Sequence, residues 1–524
     1  MIKLYPTQHN TALGRYYINS RNLVEYMKIL TDKKRCKGCG LCVKVCPQMI
    51  LEVVDKKMRV MDESRCMGCF GCEDECKEGA VRLLRGPQSI SRIHIEPPPA
   101  NIKKCDVAIV GAGPSGLGAA ITCAKAGLDV VVFERLPNRK ISHHSDGGVL
   151  FTFPGITSIE FDGKKVAFPE LDISLDARFT KKCEYLGLLG PGGLGTKNDF
   201  PEGLYALAGN KDGFIEALVN EAENNGARIW FNAKVIDVLK EDDRITGIKL
   251  STGEEIQSKV VVAADGVFAK ISEKAGMQIS HNDLWYASVL AFEYDNTENL
   301  PGGLYYLNGD MELEKDMPVA FGGLGITEVI HVLIAFFSRK NTYPAPKPMD
   351  YYVQKMLEDD ERIKKVLGDR LKGVRPKMVT GCRAVLRGKS NEDTVGNGVI
   401  SVGDAWVDDG EIGNVPALGN GVHAGRIIVE ASRKNDFSKQ ALRPVNNFIT
   451  KRLLKALSKN KDLKLLCARY SEEEMKQMFL FMQHMNYPIM MFGNPMQQGI
   501  MFSKFMVRNL FRFFKYPKIA RALF

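Results

Sequence analysis

The stretch that most constrains the fold is a glycine motif between two short apolar runs. The run Val107–Val110 precedes the motif GAGPSG at residues 111–116, an alanine-rich segment follows, and a second run, Val130–Phe133, ends at Glu134. This order predicts a strand, a helix and a strand, with glycines where a tight turn, close approach to a pyrophosphate and helix–strand packing require them. The acid that ends the second strand can accept hydrogen bonds from a ribose. We therefore predict a dinucleotide-binding βαβ unit.

Eight of the thirteen cysteines form two matching runs near the N-terminus. Each run has the spacing C-x-x-C-x-x-C-x-x-x-C, and residues 47–65 separate the two. Zinc sites usually combine pairs of C-x-x-C, and a disulfide framework needs an oxidising compartment, so this spacing favours iron–sulfur clusters. The other five cysteines lack metal-ligand spacing and are predicted to be buried apolar thiols. These five are Cys105, Cys123, Cys183, Cys382 and Cys467.

The doubled cysteine spacing resembles that of the bacterial two-cluster ferredoxin. In that family each 4Fe-4S cluster takes three cysteines from one run and the fourth from the other. The resemblance implies one cluster on Cys36, Cys39, Cys42 and Cys76, and a second on Cys66, Cys69, Cys72 and Cys46. Lys77 stands where the family usually has proline, which removes no ligand.

Two later stretches each repeat the pattern of an apolar strand followed by a turn of small or acidic residues. Val260–Ala264 leads into Asp265-Gly266, and residues 398–402 lead into Gly403-Asp404. The order GxGxxG, ADG and GDA resembles that of FAD-dependent oxidoreductases of the glutathione-reductase class. This resemblance implies that Asp404 bonds the ribityl chain of FAD.

The segment after Asp404 resembles a narrower group of flavoproteins. Its Pro416-x-x-Gly419-x-Gly421 resembles the flavin-contacting loop and helix start of geranylgeranyl reductases. Asn414-Val415-Pro416 also looks like the corresponding segment of the related electron-transfer-flavoprotein:quinone oxidoreductases. Glycines here would let backbone N–H groups reach the flavin. The predicted FAD contacts are Gly111, Gly113, Pro114, Ser115, Gly116, Glu134, Arg135, Gly147, Gly148, Val235, Asp265, Gly266, Gly403, Asp404, Pro416, Gly419, Gly421 and Val422.

The resemblance departs after the first βαβ unit. Geranylgeranyl reductases usually carry Cys-Gly-Gly facing the flavin there, whereas this chain has Asp146-Gly147-Gly148. Asp146 is the candidate to take the place of the thiol. His144 and His423 are candidate proton donors, because imidazole titrates near neutral pH, although a polar loop histidine is also compatible with simple solvation.

Charge is concentrated at the C-terminal end of the chain. The formal net charge is +10, and residues 440–524 alone contain 15 Lys and Arg against 4 Asp and Glu. Lys504, Arg508 and Arg512 recur every four residues among Met, Phe and Leu side chains. On a helix this gives a basic stripe beside an apolar face, as in helices that lie on anionic lipid. A helix packed on its own domain or on a partner subunit fits the same pattern.

Composition excludes several other classes of protein. A hydrophobic share of 45% and a charged share of 26% are those of a globular chain. The sequence has no run of eighteen apolar residues and no secretory signal at its start, so we expect a cytoplasmic protein, either free or peripheral on the cytoplasmic face of a membrane. Nucleic acid is not an expected partner, because large apolar groups interleave the basic residues and no recognition module precedes them.

We therefore predict an α/β protein with a Rossmann-type FAD-binding domain, an interleaved α+β substrate domain and a small α+β ferredoxin-like domain. Strands are expected at Val329–Phe337 and Ala287–Phe292 of the substrate domain. The predicted division is an N-terminal extension at 1–34, a ferredoxin domain at 35–85, a linker at 86–104, the FAD-binding domain at 105–435 with the substrate domain at about 150–210 and 280–385, and a basic helical region at 436–524.

The combination of a ferredoxin module with an FAD domain implies electron transfer. We expect a ferredoxin or an electron-transfer flavoprotein to reduce two 4Fe-4S clusters, and FAD to pass the electrons to a lipophilic acceptor. The leading hypothesis, from the resemblance, is reduction of a C=C bond in an isoprenoid or related lipid. The alternatives are electron exchange with a membrane quinone and a relay subunit of a larger redox complex.

Overall fold

The structure is a computed structural model that describes most of the chain. The described residues are 26–86, 99, 102–139, 149–153, 155–190, 194–202, 204, 206–277, 285–295, 303–308, 320–326, 329–371, 374, 376, 378–386, 393–406, 413–448, 473, 476–477, 479–480, 483, 485–493 and 495–515. Asp146, His144, Gly147, Gly148 and Cys467 lie outside them, as do most of the predicted extension and linker.

Residues 26–86 form a small domain of two similar halves, each with a cysteine turn, a short helix and strands. The terminal strands pair antiparallel, and the two middle strands form a hairpin that turns through Asp55 and Lys56, both at positive φ. Its core combines the cysteines with apolar side chains such as Ile50 and Phe70. The elements are β1 (Tyr26–Thr31), α1 (Leu41–Val45), β2 (Leu51–Val54), β3 (Lys57–Val60), α2 (Gly71–Asp74) and β4 (Val81–Gly86).

The rest of the described chain is an α/β unit with two large sheets. Its helices are α3 (Pro114–Lys125), α4 (Lys211–Asn224), α5 (Lys270–Lys274), α6 (Met349–Asp359), α7 (Glu361–Leu367), α8 (Asn414–Arg433), α9 (Lys439–Leu442), α10 (Tyr487–Phe492) and α11 (Pro495–Lys515). Its strands are β5 (Lys104–Val110), β6 (Val130–Phe133), β7 (Leu150–Phe151), β8 (Glu160–Phe161), β9 (Lys165–Phe168), β10 (Ile173–Asp176), β11 (Thr180–Lys182), β12 (Tyr185–Leu189), β13 (Gly195–Asp199), β14 (Ala206–Gly209), β15 (Arg228–Trp230), β16 (Val235–Glu241), β17 (Arg244–Leu250), β18 (Glu255–Ala263), β19 (Trp285–Tyr294), β20 (Gly303–Asn308), β21 (Ala320–Ile326), β22 (Ile330–Ser338), β23 (Met378–Leu386), β24 (Val395–Gly396) and β25 (Val399–Ser401).

The first large sheet has the order β15-β6-β5-β18-β17-β16, with β25 beside β18 and β24 beside β25. Strands β15, β6, β5, β18 and β25 run parallel. Parallel strands covered on both faces are apolar throughout, which explains why every residue of β6 is buried. Because the carboxyl ends of parallel strands meet at one edge, this topology brings the three predicted nucleotide motifs together.

The second large sheet has the order β13-β12-β20-β21-β22-β19-β23. It draws strands from both segments predicted for the substrate domain, and the strands expected at 329–337 and 287–292 are confirmed as β22 and β19. Helices α6 and α7 cover one face of this sheet through side chains such as Tyr352 and Met356.

The ferredoxin-like domain packs against both sheets of the flavoprotein part. Met67 and Cys69 belong to the same apolar core as α6 and the second sheet, and a methyl group added at Gly381 of β23 would lie 2.2 Å from Met67 Cε. Arg65 donates to both carboxylate oxygens of Asp350 in α6 at 2.9 and 3.0 Å, and Lys234 Nζ lies 2.5 Å from Glu73 Oε1. These contacts place the cysteines of the second run at the junction.

The long C-terminal helix α11 packs on the chain by one face. Met501, Phe505 and Asn509 are buried on that face, and Gln498 Nε2 donates to the carbonyl of Met490 in α10. Of the helices in the described residues, none combines the length and apolar character that crossing a bilayer would require.

Candidate redox site

The eight cysteines of the small domain are free thiols in two spatial sets. Burial and, to a smaller extent, the nearby Cys39, Cys76 and Cys36 raise the pKa of Cys42 to about 11. We call Cys36, Cys39, Cys42 and Cys76 the outer set, because Cys39 alone of the eight is exposed.

The second set contains Cys46, which comes from the first cysteine run. Burial raises the pKa of Cys72 well above its usual value, and Cys69, Cys66 and Cys46 add to the shift. We call these four the inner set, since Cys69 belongs to the core that joins the small domain to the second sheet.

Eight thiols in two sets of four suit the chemistry of two iron–sulfur clusters. Buried thiolates are costly unless a bound cation compensates their charge, and iron supplies that charge. Within the described residues, no three His, Cys, Asp or Glu side chains converge as for a single metal ion.

Three glycines lie at the edge of the first sheet, and the reason for glycine differs from one position to another. A methyl group at Gly111 would lie 2.4 Å from the carbonyl oxygen of Ala264, and one at Gly116 would lie 2.0 Å from that of Gly111. Gly113 has an ordinary φ of −76°, and a methyl group there would meet no atom within 4 Å. Packing thus explains the first two glycines, whereas open space at the start of α3 is what a pyrophosphate on a helix N-terminus requires.

Glu134 follows β6 at the same edge. Its carboxylate accepts hydrogen bonds from the backbone N–H groups of Ala112 at 2.8 Å and Leu136 at 2.9 Å. Both bonds fix the carboxylate beside the glycine turn, where its remaining lone pairs can accept from a ribose.

The turn Gly403–Ala405 brings Asp404 to the start of α3. Gly403 has φ +65°, and a methyl group there would lie 2.4 Å from Ser115 Oγ. Its N–H donates to Asn420 Oδ1 at 2.7 Å, and Asn420 is fully buried in α8. The residues at the start of α3 and in this turn therefore fit a dinucleotide and would hold it between them.

Two family models match the chain, and both agree with this geometry. A 4Fe-4S dicluster domain matches residues 28–77, and an FAD binding domain matches residues 106–168. The chain is 27% identical to the digeranylgeranylglycerophospholipid reductase of Methanosphaerula palustris over 404 residues, which cover 71% of this chain and 88% of that protein. The digeranylgeranylglycerophospholipid reductase of Thermoplasma acidophilum is 26% identical over 369 residues, covering 66% and 83%.

A solved structure shows the same fold. It is a geranylgeranyl bacteriochlorophyll reductase-like protein from Thermoplasma acidophilum, with a TM-score of 0.61 at 19% identity, covering 80% of this chain and 100% of that chain. The chain is thus similar to geranylgeranyl reductases, and it contains an FAD-binding domain and a 4Fe-4S dicluster domain. It is an oxidoreductase that combines FAD with iron–sulfur chemistry, so the predicted family resemblance and fold class are confirmed.

The structure corrects the roles predicted for three residues of α8 in this reductase-like protein. A methyl group at Gly421 would lie 1.8 Å from the carbonyl oxygen of Ser115, one at Gly419 would lie 2.5 Å from Ile156 Cγ2, and Val422 is buried in the core. Inside a helix the N–H groups bond to carbonyls four residues back, so these residues cannot offer them to a flavin. The N–H groups that the helix leaves unbonded belong to its first turn, in which Pro416 itself has no N–H.

Asp265 also has a local structural role. Its carboxylate accepts from the N–H of Ile271 at 2.6 Å and from Ser272 Oγ at 3.2 Å, and it thereby holds the start of α5. The neighbouring Gly266 has φ +74°, a backbone conformation that glycine adopts readily. The FAD contact predicted for Asp265 stays a prediction, because its carboxylate keeps lone pairs beyond these two hydrogen bonds.

The side chain of Arg135 turns to the ferredoxin-like domain instead of FAD. Its guanidinium donates to Asp74 Oδ1 at 2.9 Å and lies 4.6 Å from the centre of the Phe70 ring. Val235 starts β16 in the core next to Lys234, which also pairs across this junction. Arg135 thus lies at the interface between domains, which no local motif reveals, and Val235 lies in the core of the first sheet.

His423 lies far from the predicted flavin loop. It is nine residues into α8, about 14 Å along the axis from Asn414. Its ring packs 5.4 Å from that of Phe448, and it borders a cavity of about 730 Å³ together with Glu170 and Arg426. Burial lowers the pKa of His423. The prediction that it donates protons at the flavin is not supported by this position.

Sequence reasoning missed two buried polar groups. Asn420 anchors Gly403, and its Nδ2 has no hydrogen-bond partner among the described residues. His331 of β22 lies opposite Glu293 of β19, with Nδ1 3.7 Å from Oε1, on the face of the second sheet away from α6. Each is a single polar residue within an apolar run, and that break in the run was the available signal.

Proposed function

We propose that this chain uses electrons received by its ferredoxin-like domain to reduce a carbon–carbon double bond of an isoprenoid lipid. Its relatives are named digeranylgeranylglycerophospholipid reductases, which supports the lipid class. The observation that carries the proposal is the position of Cys69, a member of the inner set that is packed into the core of the second sheet of the flavoprotein part.

The chain's own residues provide the binding sites. We assign one 4Fe-4S cluster to the outer set and a second to the inner set. We assign the FAD pyrophosphate to the start of α3 at Gly113, the adenosine ribose to Glu134 and the ribityl chain to Asp404. When bound, the clusters supply single-electron transfer and FAD supplies the pair that a double bond consumes together with two protons.

Contacts across the junction keep the inner set close to the flavoprotein part. Arg383 of β23 donates to the carbonyl of Val45 at 3.1 Å and to Asn341 Oδ1 at 2.6 Å. A methyl group at Gly71 would lie 2.3 Å from Arg383 Cδ. Because these groups are buried and close-packed, the inner set has a fixed distance to the flavoprotein part, as electron transfer requires.

The experiment compares acceptors under anaerobic conditions. Protein reduced with dithionite and freed of excess reductant is mixed with digeranylgeranylglycerophospholipid, with a quinone analogue or with buffer. We expect the lipid to reoxidise the flavin. Faster reoxidation by the quinone would favour quinone reduction, and no reoxidation by any of the three would favour a relay subunit; either result contradicts the proposal.

We also propose that α11 lies on an anionic membrane surface, which would bring a lipid substrate to the enzyme. Opposite the buried face of α11, Ile500, Val507 and Leu510 are exposed, and the basic Lys504 and Arg508 lie beside them. An apolar stripe flanked by basic residues is the pattern of interfacial helices. The apolar face expected from the sequence differed from this stripe: it included Leu510, which is exposed, but also Met501 and Phe505, which are buried, and it did not include Ile500 or Val507.

The double variant Val507→Asp/Leu510→Asp is expected to bind vesicles at least about tenfold more weakly, because two apolar anchors are replaced by charges that anionic lipid repels. Co-sedimentation with phosphatidylglycerol vesicles measures the effect. The variant Ile236→Asp/Val374→Asp changes two exposed apolar residues elsewhere and should bind as the wild type does. Equal binding by both variants would contradict the proposal.

A further inference from the structure

The outer cysteine set has one member in contact with solvent. Cys39 is exposed, while Cys36 and Cys42 are buried and Cys76 is half-buried. In the inner set, by contrast, Cys69 is buried in the core shared with the second sheet. An electron from another protein therefore has its shortest entry at Cys39.

The surface around Cys39 is basic. A methyl group at Gly38 would touch the backbone of Lys56 at 2.4 Å, so the β2–β3 turn lies directly beside the Cys39 loop. Lys37 Nζ lies 2.9 Å from Glu78 Oε2, which brings the segment after Cys76 to the same place. We define the basic rim as the exposed residues Lys33, Lys34, Arg35, Lys37, Lys56 and Lys77.

Acidic residues only partly compensate the basic rim. Asp32 pairs with Arg35 and Glu78 with Lys37, and Asp55 is the other exposed acid of these loops. Lys57 adds a further positive charge, since its ammonium donates to the carbonyl oxygen of Cys36 at 2.6 Å. The surface therefore remains positive, whereas the buried acids Glu73 and Asp74 pair with Lys234 and Arg135 at the junction.

We infer that the basic rim docks an acidic electron-carrier protein that reduces the outer set. Positive charge around an exposed redox site attracts a negative partner and raises its association rate. Each encounter oxidises the carrier by one electron and reduces this chain by one, so two encounters supply the pair that one double bond consumes. The inference rests on the proposed function, but it concerns electron entry and does not depend on which acceptor the flavin reduces.

The test uses the holoenzyme and a purified ferredoxin of strongly negative net charge, reduced beforehand and freed of reductant. Stopped-flow absorbance gives the second-order rate constant for flavin reduction, and interferometry with the oxidised ferredoxin gives the association rate without turnover. For the wild type, both rates should fall at least about tenfold between about 50 and about 500 mM NaCl, because salt screens the attraction.

The variant Lys33→Glu/Lys34→Glu/Lys56→Glu should lose at least about tenfold in both rates at low salt and most of the salt dependence. Its flavin should be reduced at the wild-type rate by photoreduced deazariboflavin, a small uncharged reductant, which shows that the cofactors are intact. The control Lys164→Glu/Lys181→Glu/Lys434→Glu reverses three exposed charges on the flavoprotein part and should keep wild-type rates apart from a small change due to net charge.

Three results would overturn the inference. They are unchanged rates in the rim variant, equal losses in the control variant, and a basic carrier that reacts as fast as the acidic one. A lipid that fails to be reduced while these rates behave as expected would contradict the proposed function and leave electron entry intact.

Discussion

Replacing Cys69 with alanine is expected to lower the iron content of anaerobically purified protein by about half, from about eight to about four atoms per chain. The variant Cys69→Ala removes one thiol of the inner set, and the buried position leaves no room for another ligand. Flavin reduction by a protein donor should also be abolished, since Cys69 is the thiol that packs in the core of the flavoprotein part. Iron analysis and stopped-flow absorbance measure the two effects.

Double variants test the membership of the sets. Cys46→Ala/Cys69→Ala should retain about four iron atoms, because both thiols hold the same cluster, whereas Cys42→Ala/Cys69→Ala should retain almost none. Cys105→Ala is the matched control, because it removes a buried thiol from the first sheet and should leave iron unchanged. Near-complete loss of iron in the first double variant, with retention in the second, would show that each cluster draws its ligands differently.

The second large effect is expected at Gly113. The variant Gly113→Ala should weaken FAD binding on the order of a hundredfold, about 2.7 kcal/mol, because its methyl group occupies the space where the pyrophosphate approaches the helix. The apoprotein should lose at most about 1 kcal/mol of unfolding free energy, since alanine is a poorer N-cap residue than glycine and the site is otherwise open. FAD titration and thermal unfolding of the apoprotein measure the two quantities.

Gly421→Ala is the contrasting variant. Its methyl group would collide with the backbone of Ser115, so the apoprotein should lose about 3 kcal/mol or more of unfolding free energy. If Gly113→Ala destabilised the apoprotein as strongly while the FAD affinity of its folded fraction stayed at the wild-type value, the assignment of the pyrophosphate to this helix start would be wrong.

Local motifs allowed much of the fold to be predicted. The second strand of the βαβ unit was predicted at 130–133 and is found at Val130–Phe133, because a strand buried on both faces is a continuous apolar run. The first strand was predicted at 107–110 and begins three residues earlier, at Lys104. The ferredoxin-type domain could also be predicted, because its cysteines are close together in the sequence and their spacing is diagnostic.

Roles that depend on distant residues could not be predicted. Glycine is required at position 421 because a side chain there would collide with the backbone of Ser115, and the guanidinium of Arg135 is hydrogen-bonded to Asp74. A glycine in a helix looks alike in sequence whether it faces a cofactor or a neighbouring helix. The docking of the inner set on Gly381 and Arg383 likewise joins parts of the chain about three hundred residues apart, which no spacing rule can indicate.

The most direct test of the central claim is mass spectrometry of digeranylgeranylglycerophospholipid after anaerobic incubation with the holoenzyme and a reduced acidic ferredoxin. The account predicts a gain of two hydrogens for each double bond reduced, with two ferredoxins oxidised per bond, and no gain with Cys69→Ala. A lipid of unchanged mass, in a sample where the wild-type flavin is fully reduced, would contradict it.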